Sequence, residues 1–178
     1  MTDRSGVASP VAPAAVNRRT VVEVGGGEFR FAAAHAGLHG GLFEPLHGHT
    51  FVASLRLYGL RDPVSGMLVD FAALKAALRM AIGPVRRRTL MPAGGAGIRV
   101  HAAQGRVVIE DGRRRFDLPA EDVVLLPVTN TSTEEIAGWL LDRTLAALGE
   151  VSGLSRAELM LAEAPGTAAV ATVEWGSP

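Results

Sequence analysis

A chain of 178 residues, 48% hydrophobic, with 18 basic against 18 acidic side chains, suits one globular domain with its own core. The balanced charge argues against nucleic acid as the main partner. No apolar run reaches the roughly 18 residues of a spanning helix, the first residues lack the apolar stretch of a secretion signal, and the absence of cysteine excludes disulfides, thiolate metal ligands and cysteine nucleophiles. Such a chain is expected in the reducing cytoplasm, away from membranes.

Residues 1–19, with scattered prolines and small side chains and no periodicity, read as a disordered N-terminal arm without chemistry. Residues 20–178 read as a single domain. Thr20 to Val24 and Glu28 to His35 are strand-like, and Gly25-Gly26-Gly27 between them reads as the turn of an antiparallel hairpin. In the second run Phe29, Phe31, Ala33 and His35 alternate. The glycine-containing loop from Ala36 to Pro45 leads into a long strand that starts at His47, with Phe51, Ala53, Leu55 and Leu57 on a core face and Val52, Ser54, Arg56 and Tyr58 on the other. His47 and His49, at i and i+2 of an extended segment, present their imidazoles on one face, and a neighbouring strand could add His35. Catalytic zinc commonly takes three protein ligands and leaves a fourth position open. A His-x-His pair in a strand also occurs as a surface or packed pair, so spacing alone leaves both readings open.

Asp62-Pro63 and Ser65-Gly66 stop this strand. Phe71, Leu74, Leu78 and Ile82 recur at helical spacing, with Asp70 as N-cap and Gly83-Pro84 as terminator. Ser132 and Glu135 form a capping box for a second helix running to about Leu148. Between the helices lies an insert, about 92–127, with strands at Ile98–Ala102, Arg106–Glu110 and Arg114–Leu118; Asp111-Gly112 is a hairpin signal. Glu158–Glu163 and Ala168–Trp175 close the chain as two strands around Pro165-Gly166. The arginine runs at 86–88 and 113–115 read as a solvated face or hairpin. Strands, helix, hairpin insert, helix and strands in this order predict an α+β fold with both helices on one face of an antiparallel sheet.

Five stretches in order carry a resemblance to the 6-pyruvoyl-tetrahydropterin synthase and 6-carboxy-tetrahydropterin synthase family, of the tunnelling fold. They are Phe31-Ala32-Ala33-Ala34-His35, Leu46-His47-Gly48-His49, Gly66-Met67-Leu68-Val69-Asp70-Phe71, Ser132-Thr133-Glu134-Glu135-Ile136-Ala137, and Glu163 in the penultimate strand. The resemblance implies a Zn2+ lyase with His35, His47 and His49 as metal ligands, acting on 7,8-dihydroneopterin triphosphate or a related pterin with elimination of triphosphate. It implies that Glu163 grips the pterin ring and belongs to the proton relay, with Thr133 as a second ring contact. Glu163 as a strand-end surface carboxylate, and Thr133 as a residue of the helix start, are the structural alternatives. The resemblance also implies a homo-oligomer, a hexamer-type stack of rings.

Two features depart from the family pattern. Phe43 stands where the family has its cysteine base, and in the stretch Val85-Arg86-Arg87-Arg88-Thr89-Leu90-Met91 arginines stand where an Asp-His pair is usual. Glu44, beside the cysteine position, is the remaining acid/base candidate, or else a turn residue before Pro45. Arg86, Arg87 and Arg88 could contact a triphosphate. His39 reads as a loop residue and His101 as a hairpin residue. Two alternatives follow from these losses: a paralogue with a different pterin-like substrate, or a non-catalytic pterin- and zinc-binding subunit.

Overall fold

The computed structural model describes residues 19–176. The expected arm therefore lies outside the described residues, apart from Arg19, which begins β1 (Arg19–Val24). β2 (Arg30–His35) follows a single 3-10 turn at Gly27–Phe29. Two short strands, β3 (Leu38–His39) and β4 (Leu42–Phe43), precede β5 (His47–Leu60), the 14-residue strand at the centre of the fold. Then come α1 (Phe71–Ile82), β6 (Thr89–Pro92), the insert strands β7 (Arg99–Ala103), β8 (Arg106–Glu110) and β9 (Arg115–Pro119), and β10 (Val123–Leu126). α2 (Thr133–Leu148), β11 (Leu154–Ala164) and β12 (Thr167–Glu174) complete the described chain.

The main sheet runs β10-β6-β2-β5-β11-β12, and β1 also lies against β5. The expected β1/β2 hairpin is absent. Both strands are antiparallel to β5, β1 along Leu55–Leu60 and β2 along His47–Val52. β5 is long enough to template two strands end to end, so the three glycines act as a break between collinear strands. Five residues lie between Val24 and Arg30, against two between their partners Leu55 and Val52, and the 3-10 turn absorbs the excess while burying Phe29 completely. The sheet is also mixed rather than purely antiparallel, since β6 pairs in parallel with both β2 and β10. The insert strands form a separate three-stranded antiparallel sheet, within one residue of the expected boundaries.

Period-two burial on β5 sends Phe51, Ala53, Leu55 and Leu57 inward. With Ala157, Leu159 and Leu161 of β11 they pack on Leu74, Leu78, Ile82, Ile136, Leu140 and Leu141 of the two helices. The Asp70 carboxylate accepts the Ala72 N–H at 2.9 Å, and the Ser132 hydroxyl accepts the Glu135 N–H, so both helices start at the expected caps. Phe71, counted with the apolar stripe of α1, is instead half exposed. Ala36, Phe43, Met91, Val107 and Ile109 make a second, smaller core between the insert and the main sheet. No helix among the described residues is long and apolar enough to cross a membrane.

Candidate metal centre

Antiparallel pairing of β2 with β5 sets His35 opposite His47 and Ala33 opposite His49, which puts three imidazoles on the inward face at the end of the core. Their ring centroids form a nearly equilateral triangle with sides of 4.6, 5.1 and 4.8 Å. One ring nitrogen from each lies within 4.8 Å of the others. Phe51, fully buried, closes the floor of this triangle against His35 and His49.

Second contacts fix which nitrogens face inward. His35 Nδ1 is 2.7 Å from the Thr131 carbonyl, and His47 Nδ1 is 3.0 Å from the Pro45 carbonyl. A carbonyl only accepts, so both Nδ1 atoms carry a proton, which in a neutral imidazole leaves the lone pair on Nε2. His35 Nε2 is buried and has no hydrogen-bond partner. An orphaned acceptor at the meeting point of three imidazoles is the donor set a divalent cation requires. Burial lowers the pKa of His35, the Thr131 carbonyl opposes this, and the neighbouring histidines lower it further, so the ring is held in its neutral, ligating form. His35 is 4% exposed, whereas His47 opens to solvent, so access to the centre is from the His47 side.

The segment before α2 ties the centre to Glu163. Thr131 accepts from His35 through its carbonyl and donates its hydroxyl to the Ala36 carbonyl at 2.9 Å. Two residues later the Thr133 hydroxyl donates to Glu163. Glu163 lies one residue past the last β5–β11 pair, Ala162 with Val52, on the helix-covered face. One stretch of backbone thus holds an imidazole of the triangle at one end and this carboxylate at the other. Thr133 is buried at the first turn of α2, its expected place in the helix start, and its side chain reaches Glu163.

Glu44 stands at the foot of the β3–β4 hairpin. Its Oε1 accepts the Gly37 N–H at 2.7 Å and lies 3.9 Å from His47 Nδ1, while Oε2 faces His39 Nε2 at 3.7 Å. A Cβ at position 37 would come within 2.7 Å of that Oε1, so glycine there leaves the seat for the carboxylate. His39, read as a loop residue, ends β3 and is exposed, with Glu44 as its only ion-pair neighbour among the described residues. His101 lies on exposed β7, away from these groups.

The three arginines after α1 are divided. Arg86 donates to the Glu28 carbonyl and Arg88 to the Glu121 carbonyl, while Arg87 and Arg88 line a depression on the helix-free face with Ala32, Gly48, Thr50 and Asp122. Sequence reasoning did not single out Thr131; as a threonine next to a cap it gives no signal of a histidine 96 residues away.

The chain is similar in sequence and in fold to known proteins. A family model described as 6-pyruvoyl tetrahydropterin synthase matches residues 26–174. A Methanocaldococcus jannaschii protein bearing the provisional name 6-carboxy-5,6,7,8-tetrahydropterin synthase is 23% identical over 108 residues, 61% of this chain and 66% of that protein. A Pyrococcus abyssi protein with the same provisional name is 29% identical over 105 residues, 59% of this chain and 61% of that protein. The match thus spans less than two thirds of either relative. The fold is that of the 6-pyruvoyl tetrahydropterin synthases of Plasmodium vivax and Plasmodium falciparum, at 23% and 24% identity and a TM-score of 0.82 in both cases. These superpositions cover 89% of this chain and 99% and 100% of the two parasite chains. Further structures of the Plasmodium vivax enzyme carry substitutions of a glutamate named there as a catalytic residue. With 149 of its 178 residues inside the family match, this chain belongs to the 6-pyruvoyl tetrahydropterin synthase family.

Proposed function

We propose that the chain is a zinc-dependent lyase that acts on 7,8-dihydroneopterin triphosphate or a close pterin relative and eliminates triphosphate. The observation that carries this reading is the convergence of His35, His47 and His49 on one point, with the His35 Nε2 buried and unpartnered there, while Thr131–Thr133 links the same point to Glu163. Three imidazoles with an open side fit zinc in a catalytic coordination. Bound there, zinc supplies Lewis acidity toward the oxygens of the substrate side chain.

The chain's own residues do the rest. Glu163, as an ionised carboxylate, accepts two N–H groups from the edge of a pterin, and the Thr133 hydroxyl fixes the orientation of that carboxylate. Glu44 holds one oxygen on the Gly37 N–H, which leaves Oε2 to take a proton from the substrate side chain. Proton removal forms a carbon–carbon double bond as the triphosphate departs with the C–O electron pair. A carboxylate in this duty accords with the glutamate named as catalytic in the Plasmodium vivax enzyme. The reading includes a homo-oligomer, since β12 is a sheet edge with no strand on its outer side among the described residues.

Arginines in place of the Asp-His pair, and Phe43 in place of the cysteine, favour a second reading, in which the same pocket serves a different pterin-like substrate. Incubating zinc-loaded protein with 7,8-dihydroneopterin triphosphate separates the two. Release of triphosphate, lost in Glu44→Gln, is expected; no release from metal-loaded protein overturns the first reading and leaves the second.

A further inference from the structure

The insert sheet reaches back across the chain to a single residue, Phe43. Asp111, in the β8–β9 turn, accepts the Phe43 N–H through Oδ2 at 2.5 Å, and Arg114 donates from Nε to the Phe43 carbonyl at 2.9 Å. The other oxygen of Asp111 accepts the backbone N–H groups of Arg113 and Arg114, at 2.8 and 2.7 Å. The Phe43 ring, 2% exposed, stands edge-on to Phe116 of β9 at 5.4 Å and fills the centre of the second core with Ile109 and Val107 of β8.

On the opposite edge of the same hairpin, Asn130 does the matching job. Its Oδ1 accepts the Leu38 N–H at 2.7 Å and its Nδ2 donates to the Leu38 carbonyl at 3.3 Å. Leu38 and Phe43 are cross-strand partners, and the Glu44 N–H bonds to the Gly37 carbonyl in the next rung. The turn between, Gly40-Gly41 with φ of 60° and 80°, is the left-handed pair of a tight two-residue hairpin. A hairpin this short has little stability of its own. Here both of its outer edges meet side chains that supply the donors and acceptors a neighbouring strand would supply.

We infer that Asp111 and Arg114 of the insert are positioning residues for Glu44: they lock the backbone of the preceding residue and so hold the Glu44 carboxylate against Gly37, beside the histidine triangle. This rests on the acid/base role proposed for Glu44. The clamp is specific, since it grips both polar groups of one peptide residue while the aromatic ring between them is buried against the same sheet. Three N–H donors on one carboxylate keep Asp111 ionised, its pKa lowered to about 2, first by the bond from Arg114 and next by that from Phe43.

Asp111→Asn separates clamp from scaffold. An amide oxygen can keep the two turn bonds to Arg113 and Arg114, but an NH2 group then faces the Phe43 N–H, two donors in opposition. The experiment compares wild type, Asp111→Asn, Arg114→Gln and Glu44→Gln as full-length zinc-loaded proteins. It reads zinc content, amide hydrogen exchange in the peptide around Phe43 and Glu44, and steady-state turnover of 7,8-dihydroneopterin triphosphate. Expected for both clamp variants are unchanged zinc, faster exchange confined to the hairpin, and kcat lower by about 10- to 100-fold with KM held within about twofold. Unchanged exchange, or faster exchange with kcat intact, overturns the clamp. Full turnover in Glu44→Gln overturns the acid/base reading instead, whatever the clamp variants do. Loss of zinc in the clamp variants marks a general structural role and counts against positioning.

Discussion

At the scale of single residues, the site depends on small atoms in the right place. Glu44 is 27% exposed on its side chain, and what holds it is one backbone N–H and the room left by the missing Cβ of Gly37. Gly37→Ala introduces a methyl group where Oε1 now sits, and the flexible glutamate yields before the backbone does. We expect a melting temperature within a few degrees of wild type, full zinc content and a turnover reduced about tenfold or more; activity at the wild-type level would show that the Glu44 seat is irrelevant to the reaction. His35 differs from its two partners in being buried with its Nδ1 proton committed to Thr131. Its ring is the fixed corner of the triangle, while His47 opens to solvent.

At the scale of elements, what the sequence disclosed follows how local each signal is. The alternation along β5, the Asp70 and Ser132 caps and the Asp111-Gly112 turn are written within a few residues, and the structure has each where the pattern puts it. The strand β6 and the edge strand β10 beside it leave no sequence signal, because Thr89–Pro92 and Val123–Leu126 are four-residue runs with no period to read, and the pairing of β6 with β2 joins segments far apart in the chain. Gly25-Gly26-Gly27 looked like a hairpin turn because a glycine triplet between two strands usually reverses the chain. Only the length of β5 reveals that both strands can share one template. At the site, the pairing of β2 with β5 is legible from two alternating runs, one that ends in His35 and one that begins at His47. Phe43 was legible only as the place of a missing cysteine. Its grip by Asp111 and Arg114, 68 and 71 residues away, is a long-range contact with no local trace.

At the scale of the molecule, the helix-free face of the main sheet is unfinished. Met160 and Val170 are 38% and 57% exposed on adjacent strands. Around them runs a ladder of polar contacts in which Glu23 pairs with Arg56, Tyr58 donates to Glu158, and Arg156 bridges Glu158 and Glu174. An eight-residue edge strand with an exposed valine invites pairing with another copy. Gel filtration is therefore expected to give a mass several times the 18.6 kDa of one chain, and Val170→Lys to shift it downward; a wild-type protein eluting as a monomer would contradict the oligomer. The account as a whole depends on the metal, and metal analysis of the purified protein tests it most directly. It predicts about one zinc per chain, retained through dialysis and lost when His35, His47 or His49 is replaced by alanine. Protein that stays folded yet takes up no zinc, or that keeps it after all three substitutions, would contradict it.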